Sequence, residues 1–285
     1  MRGQPTGLPP HWFGHPHAAP AIHSQSGRLA VAIAPDRSAL IGRLLEVAGI
    51  SKAYGGVEAV RACSFGVAEG SITGLIGPNG AGKTTAFDVI NGIVAPDAGT
   101  VTFDDTDITG WMPHKVTRLG ISRTFQITRE LSDLSVLENM VVGSPASGIR
   151  SLLGSRILQR EQERAMDLLA FVGIDRLATS PARSLSYGQK KLLEFAAVLM
   201  PEPRLVLLDE PAGGVNPALL ERIMDHIREL NRTGITYLIV EHNMDVVMSL
   251  CDSIIVMAHG EVLTEGSPAV IQEDDTVLDA YLGRV

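Results

Sequence analysis

The sequence is poor in cysteine and has no long apolar run. Its two cysteines, Cys63 and Cys251, lie far apart and form no C-x-x-C pair. A disulfide framework and a zinc site are therefore not expected, and a reducing cytoplasm fits this composition. No apolar stretch approaches the ~20 residues that a helix needs to cross a bilayer, because charged residues, glycine or proline interrupt every candidate. If the protein works at a membrane, other chains must anchor it there.

Positive charge is also scarce. The chain has 24 Lys and Arg residues against 32 Asp and Glu, a formal net charge of −8, and it has no long basic run. Nucleic acid is therefore not expected as a partner, since proteins that bind it need a basic surface. With 285 residues, of which 45% are hydrophobic, the chain can bury a sizeable core and form one large domain or two small ones.

Residues 1–42 differ in composition from the rest. They predict a flexible Pro/His-rich N-terminal extension ahead of a domain at 43–285, although a start codon assigned too far upstream would also explain them. Proline breaks the opening stretch Met1–Pro5, so no secretory signal is expected. Histidines can bind metal, but a proline-rich segment does little to fix ligand geometry. The histidines are His11, His15, His17 and His23, half of the eight in the chain.

A glycine-rich loop lies between an apolar run and a helix-like segment. It matches the G-x-x-x-x-G-K-[ST] pattern, after Ile72–Ile76 and before a helix that begins near Lys83. Glycines let backbone N–H groups point at phosphate oxygens, and the helix adds the positive end of its dipole. Lys83 supplies a mobile charge, and Thr84 offers a hydroxyl to Mg²⁺. The predicted phosphate site consists of Gly77, Pro78, Asn79, Gly80, Ala81, Gly82, Lys83, Thr84 and Thr85.

Polar residues follow three other apolar strands. Leu205–Asp209 continues into Glu210, Ile235–Val240 continues towards His242, and Ile121–Gln126 ends in a glutamine. Open α/β sheets bind ligands at the carboxyl ends of parallel strands. Phosphoryl transfer to water needs a carboxylate for Mg²⁺, an acceptor for the proton of water, and a polar or imidazole group at the terminal phosphate. These strand ends predict such a set in Gln126, Asp209, Glu210 and His242.

A helical insert of about 70 residues separates the two strand-rich parts, and we place this subdomain at about 130–197. Helices are predicted at Val136–Val142, Arg156–Val172 and Lys190–Met200, and the polar stretch Gln159–Arg164 is expected to face solvent. Asn216 and Pro217 are expected to start a further helix through residue 230. Other strands are expected at 44–50, 63–67, 100–104, 253–257 and 261–266, and a terminal helix at 276–282.

These motifs, in this order, resemble the ATP-binding subunit of an ABC transporter across roughly residues 43–285. Gly77–Thr84 resembles Walker A, and Leu207–Pro211 resembles Walker B with its catalytic glutamate. Leu185–Gln189 is similar to the signature motif, which is peculiar to this family. Three single residues complete the resemblance: Tyr54 in the aromatic loop that stacks on adenine, Gln126 in the Q-loop, and His242 as the switch histidine.

The resemblance implies an α/β fold of the P-loop NTPase (RecA-like) type, with a parallel-sheet core, an antiparallel β subdomain and a helical signature-motif subdomain. It implies ATP and Mg²⁺ as cofactors. The implied catalytic residues are Glu210, His242 and Lys83, and the implied Mg²⁺ neighbours are Thr84, Gln126 and Asp209. The implied nucleotide contacts outside the phosphate loop are Tyr54, Gln126, Ser186, Gly188 and Gln189.

Two positions depart from the commonest family pattern. Tyr187 replaces the first glycine of Leu-Ser-Gly-Gly-Gln, and the D-loop region at Ala212–Pro217 does not read Ser-Ala-Leu-Asp. Both departures are similar to importers of branched-chain and other hydrophobic amino acids, as are the stretches Val240–Met244 and 279–283. The resemblance therefore implies an ATPase subunit that powers such an importer.

The resemblance also implies partners. Two such subunits would face head to tail, each ATP lying between one phosphate loop and the other signature motif, and the second subunit is expected to be a paralogue or otherwise a second copy. Two transmembrane permease subunits, and indirectly an extracytoplasmic substrate-binding protein, would complete a complex in which this chain is peripheral, at the cytoplasmic face of the inner or plasma membrane. The expected permease groove includes Leu131, Leu134, Leu137 and Met140, residues that would equally suit an ordinary core.

Alternative functions remain open at this point. An importer of urea or short amides would have a similar ATPase, because the ATPase does not touch the transported substrate. Soluble ABC ATPases of DNA repair or of the ribosome usually carry two ATPase modules, zinc inserts or long coiled coils, which do not match the single phosphate loop here. A nucleotide-binding regulator without turnover is disfavoured, since both Glu210 and His242 are present.

Overall fold

Two β-sheets flanked by helices make up the part of the chain that the structure describes. The computed structural model describes residues 42–124, 131–142 and 159–281. The strands are β1 (Arg43–Tyr54), β2 (Val57–Ala68), β3 (Ile72–Ile76), β4 (Ala98–Phe103), β5 (Thr106–Asp107), β6 (Ile121–Arg123), β7 (Leu205–Asp209), β8 (Thr236–Val240), β9 (Ser253–Ala258) and β10 (Glu261–Gly266). The helices are α1 (Lys83–Ile90), α2 (Pro113–Leu119), α3 (Val136–Val142), α4 (Gln159–Val172), α5 (Tyr187–Val198), α6 (Pro217–Arg232), α7 (Met244–Leu250), α8 (Pro268–Gln272) and α9 (Asp275–Tyr281).

A six-stranded sheet with the order β10-β9-β3-β8-β7-β6 positions the candidate site. Its neighbouring strands are parallel except for the antiparallel pair of β10 with β9. All residues of β3, β7 and β8 are buried, because both faces of the sheet are covered, and this explains their unbroken apolar runs. The carboxyl ends of these three adjacent strands therefore lie side by side at one edge of the sheet.

A four-stranded antiparallel sheet, in the order β2-β1-β4-β5, covers one face of the parallel sheet. Its apolar side chains join those of α1 and of that face in one hydrophobic cluster, whereas α3 to α6 share a second cluster with the opposite face. The two sheets are also tied at Arg61, whose backbone N–H donates to the carbonyl of Gly260 at 2.9 Å. The predicted fold class, a parallel-sheet core with an antiparallel β subdomain and a helical part, is confirmed.

The helical part corrects two predictions about individual side chains. The polar stretch at the start of α4 does not simply face solvent, because Glu161 is only 7% exposed. The guanidinium of Arg164 donates to the carbonyls of Leu199 and Met200 at 2.9 and 3.2 Å, so it satisfies carbonyl groups left open after the end of α5. Met140 is fully buried and belongs to the core, so it cannot line a surface groove.

Other predictions differ at the ends of elements. Helix α5 begins at Tyr187 rather than at residue 190, and α2, α7 and α8, which have five to seven residues each, were not predicted. Gln126, the start of the helix predicted from Arg156, and the extension before residue 42 lie outside the described residues. Within residues 42–124, 131–142 and 159–281, no helix has the length and apolar character that a membrane crossing requires.

Candidate functional site

The glycine-rich loop connects the end of β3 to the start of α1. Gly77 has a φ of 146°, and a Cβ atom there would lie 2.1 Å from the carbonyl oxygen of Met257 in β9, so only glycine fits. The ammonium group of Lys83 folds back and donates to the carbonyls of Gly77 and Pro78 at 2.7 and 2.9 Å. The loop therefore curves around the first residue of α1, next to the positive end of that helix.

Lys83 shares its surroundings with the two carboxylates after β7. Burial lowers the pKa of Lys83, and the negative charges of Glu210 and Asp209 act in the opposite direction. The sheet order β3-β8-β7 places the phosphate loop and the end of β7 at the same edge of the sheet, where the charges of both carboxylates act on Lys83. The structure thus brings together the predicted cationic and anionic residues of the site.

Asp209 is buried, and Arg123 holds its carboxylate. One carboxylate oxygen accepts a hydrogen bond from the Arg123 guanidinium at 3.0 Å, and Arg123 also pairs with Asp88 of α1. Burial raises the pKa of Asp209, although Arg123 lowers it in part. The second oxygen, Oδ1, is buried and has no hydrogen-bond partner among the described residues. A cation would satisfy this oxygen, and carboxylate oxygen is a ligand that Mg²⁺ prefers.

Glu210 and His242 meet at the ends of the adjacent strands β7 and β8. Nε2 of His242 is in hydrogen-bond contact with Oε1 of Glu210. Glu210 has a φ of 50°, in the left-handed region that costs a residue with a side chain of order 1–3 kcal/mol and that concentrates at functional sites. Its backbone N–H donates to the Val240 carbonyl at 2.9 Å, which fixes the backbone of Glu210 beside the end of β8.

Two charged residues that sequence reasoning missed hold this arrangement in place. Arg123 bridges the carboxylates of Asp88 and Asp209, as described above. Glu241 is 2% exposed, and its carboxylate accepts hydrogen bonds from the backbone N–H groups of Ala212 at 2.6 Å and His242 at 3.0 Å. Both residues could have been recognised in the sequence, because each is a charged residue within a buried strand or directly after it. A buried charge needs a partner of opposite charge or hydrogen-bond donors.

The predicted signature residues form the start of α5. Ser186 is the N-cap, and its hydroxyl accepts from the N–H of Gln189 while the Gln189 side chain accepts from the N–H of Ser186. This reciprocal arrangement is a capping box, so both side chains have a structural role within the chain. The contacts described for this segment lead to α6 and to the turn after β7, rather than to the phosphate loop.

Tyr54 ends β1 and is 47% exposed, as expected for a ring that could stack on a base. The Lys52 ammonium lies 5.8 Å from the centre of the ring. Lys52 also pairs with Asp97 at 2.7 Å, which fixes its position next to the ring. Gln126 cannot be placed, because it lies outside the described residues.

The sequence matches two family models. One, described as ABC transporter, matches residues 60–213, more than half of the chain. The other, described as branched-chain amino acid ATP-binding cassette transporter, matches residues 261–285. The first match spans the phosphate loop, the signature segment and the end of β7, so it covers most of the geometry described above.

Relatives and solved structures agree with these models. A protein of Archaeoglobus fulgidus, described as probable branched-chain amino acid transport ATP-binding protein LivG, is 41% identical over 85% of this chain and 96% of its own. The ADP conformation of an ATP-binding cassette of an ABC transporter superposes with a TM-score of 0.77 at 35% identity, over 85% of this chain and 99% of that one. A dimeric cassette bound to ADP and Pi gives a TM-score of 0.69 at 25% identity, over 79% and 98%. The chain belongs to the ABC transporter family, as a nucleotide-binding cassette with ATPase activity.

Proposed function

We propose that this cassette binds ATP with Mg²⁺ and hydrolyses it to power an importer of branched-chain or related amino acids. The contact between Glu210 and His242 beside the phosphate loop carries the hydrolytic part of the proposal. The match of residues 261–285 and the description of the A. fulgidus relative support the substrate class. Neither observation favours urea or short amides.

Hydrolysis assigns a separate task to each residue at the strand ends. Glu210 orients the attacking water and accepts its proton, and His242 holds the Glu210 carboxylate and contacts the γ-phosphate. Lys83 exchanges its contacts with the Gly77 and Pro78 carbonyls for the phosphates, while the remaining loop residues, from Asn79 to Thr85, donate backbone N–H groups. The exposed ring of Tyr54 stacks on the adenine.

The donor set fits Mg²⁺, because Oδ1 of Asp209 is buried and finds no hydrogen-bond partner in the part of the chain that the structure describes. Asp209 and the Thr84 hydroxyl would hold the ion, together with Gln126, which lies outside the described residues. When bound, Mg²⁺ neutralises the charge that develops on the phosphates. Arg123 keeps the other oxygen of Asp209 engaged and so presents Oδ1 in one orientation.

We propose that the signature segment contacts the ATP that a second subunit binds. Ser186, Gly188 and Gln189 begin a helix whose described contacts lie away from this chain's phosphate loop, so they are available to an ATP held by a facing cassette. We propose a paralogue, or otherwise a second copy, as that partner. Two permease subunits and an extracytoplasmic binding protein complete the importer, and this chain is peripheral at the cytoplasmic face of the inner or plasma membrane.

The test is transport and hydrolysis by the purified native complex in proteoliposomes. Glu210→Gln should lower kcat for ATP by about 100-fold or more, because a general base contributes on that scale, and leave ATP binding in place. Glu221→Gln, on the exposed side of α6, is the matched control and should behave as wild type. ATP-driven uptake of leucine should fall in parallel, and an excess of urea should not compete. Wild-type hydrolysis by Glu210→Gln would refute the assigned base, and uptake of urea but not leucine would refute the substrate.

A further inference from the structure

Tyr187, the first residue of α5, makes a specific contact with the turn that follows β7. Its hydroxyl donates to the carbonyl of Gly213 at 2.9 Å, and its side chain is partly exposed. The ring lies against Gly214, which has a φ of 70°, and a Cβ atom added there would approach the ring to 3.1 Å. Tyr187 and the two glycines are therefore complementary in shape as well as in hydrogen bonding.

The same turn carries Glu210. The N–H of Gly213 donates to the carbonyl of Glu210 at 3.0 Å, which closes the turn, and the N–H of Ala212 is held by Glu241. A displacement of Gly213 therefore acts on the backbone of Glu210, a residue already in a sparsely populated conformation. The contact with Tyr187 joins this turn to the start of the signature helix.

The start of α5 also packs closely against the start of α6. A Cβ atom at Gly188 would lie 2.7 Å from Cδ2 of Leu219, so the two helix starts pack closely. Asn216 caps α6 by accepting from the N–H of Leu219 at 2.9 Å. The turn, the capped start of α6 and the capped start of α5 are thus in continuous contact.

We propose that Tyr187 is a positioning residue that transmits the state of the signature segment to this chain's own Glu210. The inference rests on the proposed function, in which Ser186 and Gly188 contact the ATP of a facing cassette. When that ATP engages the start of α5, the Tyr187 hydroxyl holds the turn at Gly213 and sets the Glu210 carboxylate. The two departures from the commonest family pattern, at Tyr187 and in the D-loop, then act together, because Tyr187 contacts the D-loop glycines.

The test compares Tyr187→Phe with wild type in the purified native complex. Loss of the hydroxyl should lower kcat about fivefold, which at 1.36 kcal/mol per tenfold is about 1 kcal/mol, the scale of one hydrogen bond. The KM for ATP should change less than about twofold, and the Hill coefficient of hydrolysis should fall, because the link between the two ATP sites is weakened. Tyr237→Phe, which removes a buried hydroxyl of β8 that has no partner among the described residues, is the control for a tyrosine hydroxyl.

A double-mutant cycle separates transmission from simple packing. Gly214→Ala should push against the ring of Tyr187 and lower kcat in its own right. Combined with Tyr187→Phe, its effect should be clearly less than additive if both act through one contact. Wild-type kcat and Hill coefficient in Tyr187→Phe, or a loss that only follows a lower Tm, would overturn the inference. Hydrolysis of ATP by Glu210→Gln would refute the proposed function itself. A wild-type result for Tyr187→Phe, with Glu210→Gln inactive, would refute only the inference about Tyr187.

Discussion

Replacing Glu241 with glutamine should loosen the segment that carries His242. The buried carboxylate accepts hydrogen bonds from the N–H groups of Ala212 and His242, and each bond to a charged acceptor contributes about 1.5–3 kcal/mol. A glutamine keeps one acceptor oxygen and presents an NH₂ group to the other N–H. We expect the loss of one such bond, and therefore a decrease of about 2 kcal/mol in the free energy of unfolding.

This decrease should appear in thermal and urea unfolding of the isolated cassette. At about 2–4 °C per kcal/mol for a domain of this size, the Tm should fall by about 4–8 °C. The kcat for ATP should also fall, since either His242 or the turn after Glu210 loses its anchor, while Glu221→Gln on α6 should leave Tm and kcat unchanged. A Glu241→Gln cassette with the wild-type Tm and kcat would show that the buried carboxylate does not hold the two segments together.

Two further predictions concern other parts of the chain. Burial lowers the pKa of His226, packed against the ring of Phe171, from 6.5 to about 4, so the unfolded chain binds a proton between these values that the folded chain does not. Wild-type stability should therefore fall as pH drops from 6.5 towards 4, and His226→Phe should reduce this fall. The measurement is the urea unfolding midpoint of both proteins at about pH 7 and about pH 5. An equal fall in both proteins would mean that His226 is already charged in the folded chain. The N–H of Gly77 donates to the Tyr281 hydroxyl at 2.9 Å, so Tyr281→Phe should weaken ATP binding by about 2- to 10-fold. An unchanged Kd for ATP in calorimetry would contradict a role for α9 in positioning the loop.

The phosphate loop and the buried strands could be predicted from the sequence because their causes are local. The glycines before Lys83 allow the positive φ angles that this loop needs and that residues with a side chain disfavour, and a parallel strand covered on both faces must be apolar throughout. The order of Asp209, Glu210 and His242 after such strands then placed them at one edge of the sheet. In these elements the residues that bind phosphate or carry charge belong to the same short segments that determine the local backbone conformation.

The supporting contacts could not be predicted because their partners are remote in the chain. Arg123 joins Asp88 to Asp209, and Glu241 holds the N–H of Ala212, which lies after a different strand. The expectation of a solvated start to α4 holds at four of its six residues and is wrong at Glu161 and Arg164, and for Arg164 the reason is the same, since the carbonyls that accept from it follow the end of α5. A charge in a polar run looks exposed until the element that satisfies it is known.

The charge balance around the loop gives a physical reason for a divalent cation in the proposed reaction. Three carboxylates, from Asp88, Asp209 and Glu210, surround two cations, Arg123 and Lys83, so the described site is already anionic before a polyphosphate enters. The positive charge of Arg123 is already offset by its ion pairs with Asp88 and Asp209. Lys83 alone would then face the added negative charge, and repulsion between phosphate oxygens and Asp209 would oppose binding in a partly buried site. A cation held by Asp209 would convert that repulsion into attraction, so the same carboxylate that disfavours free ATP would favour its Mg²⁺ complex.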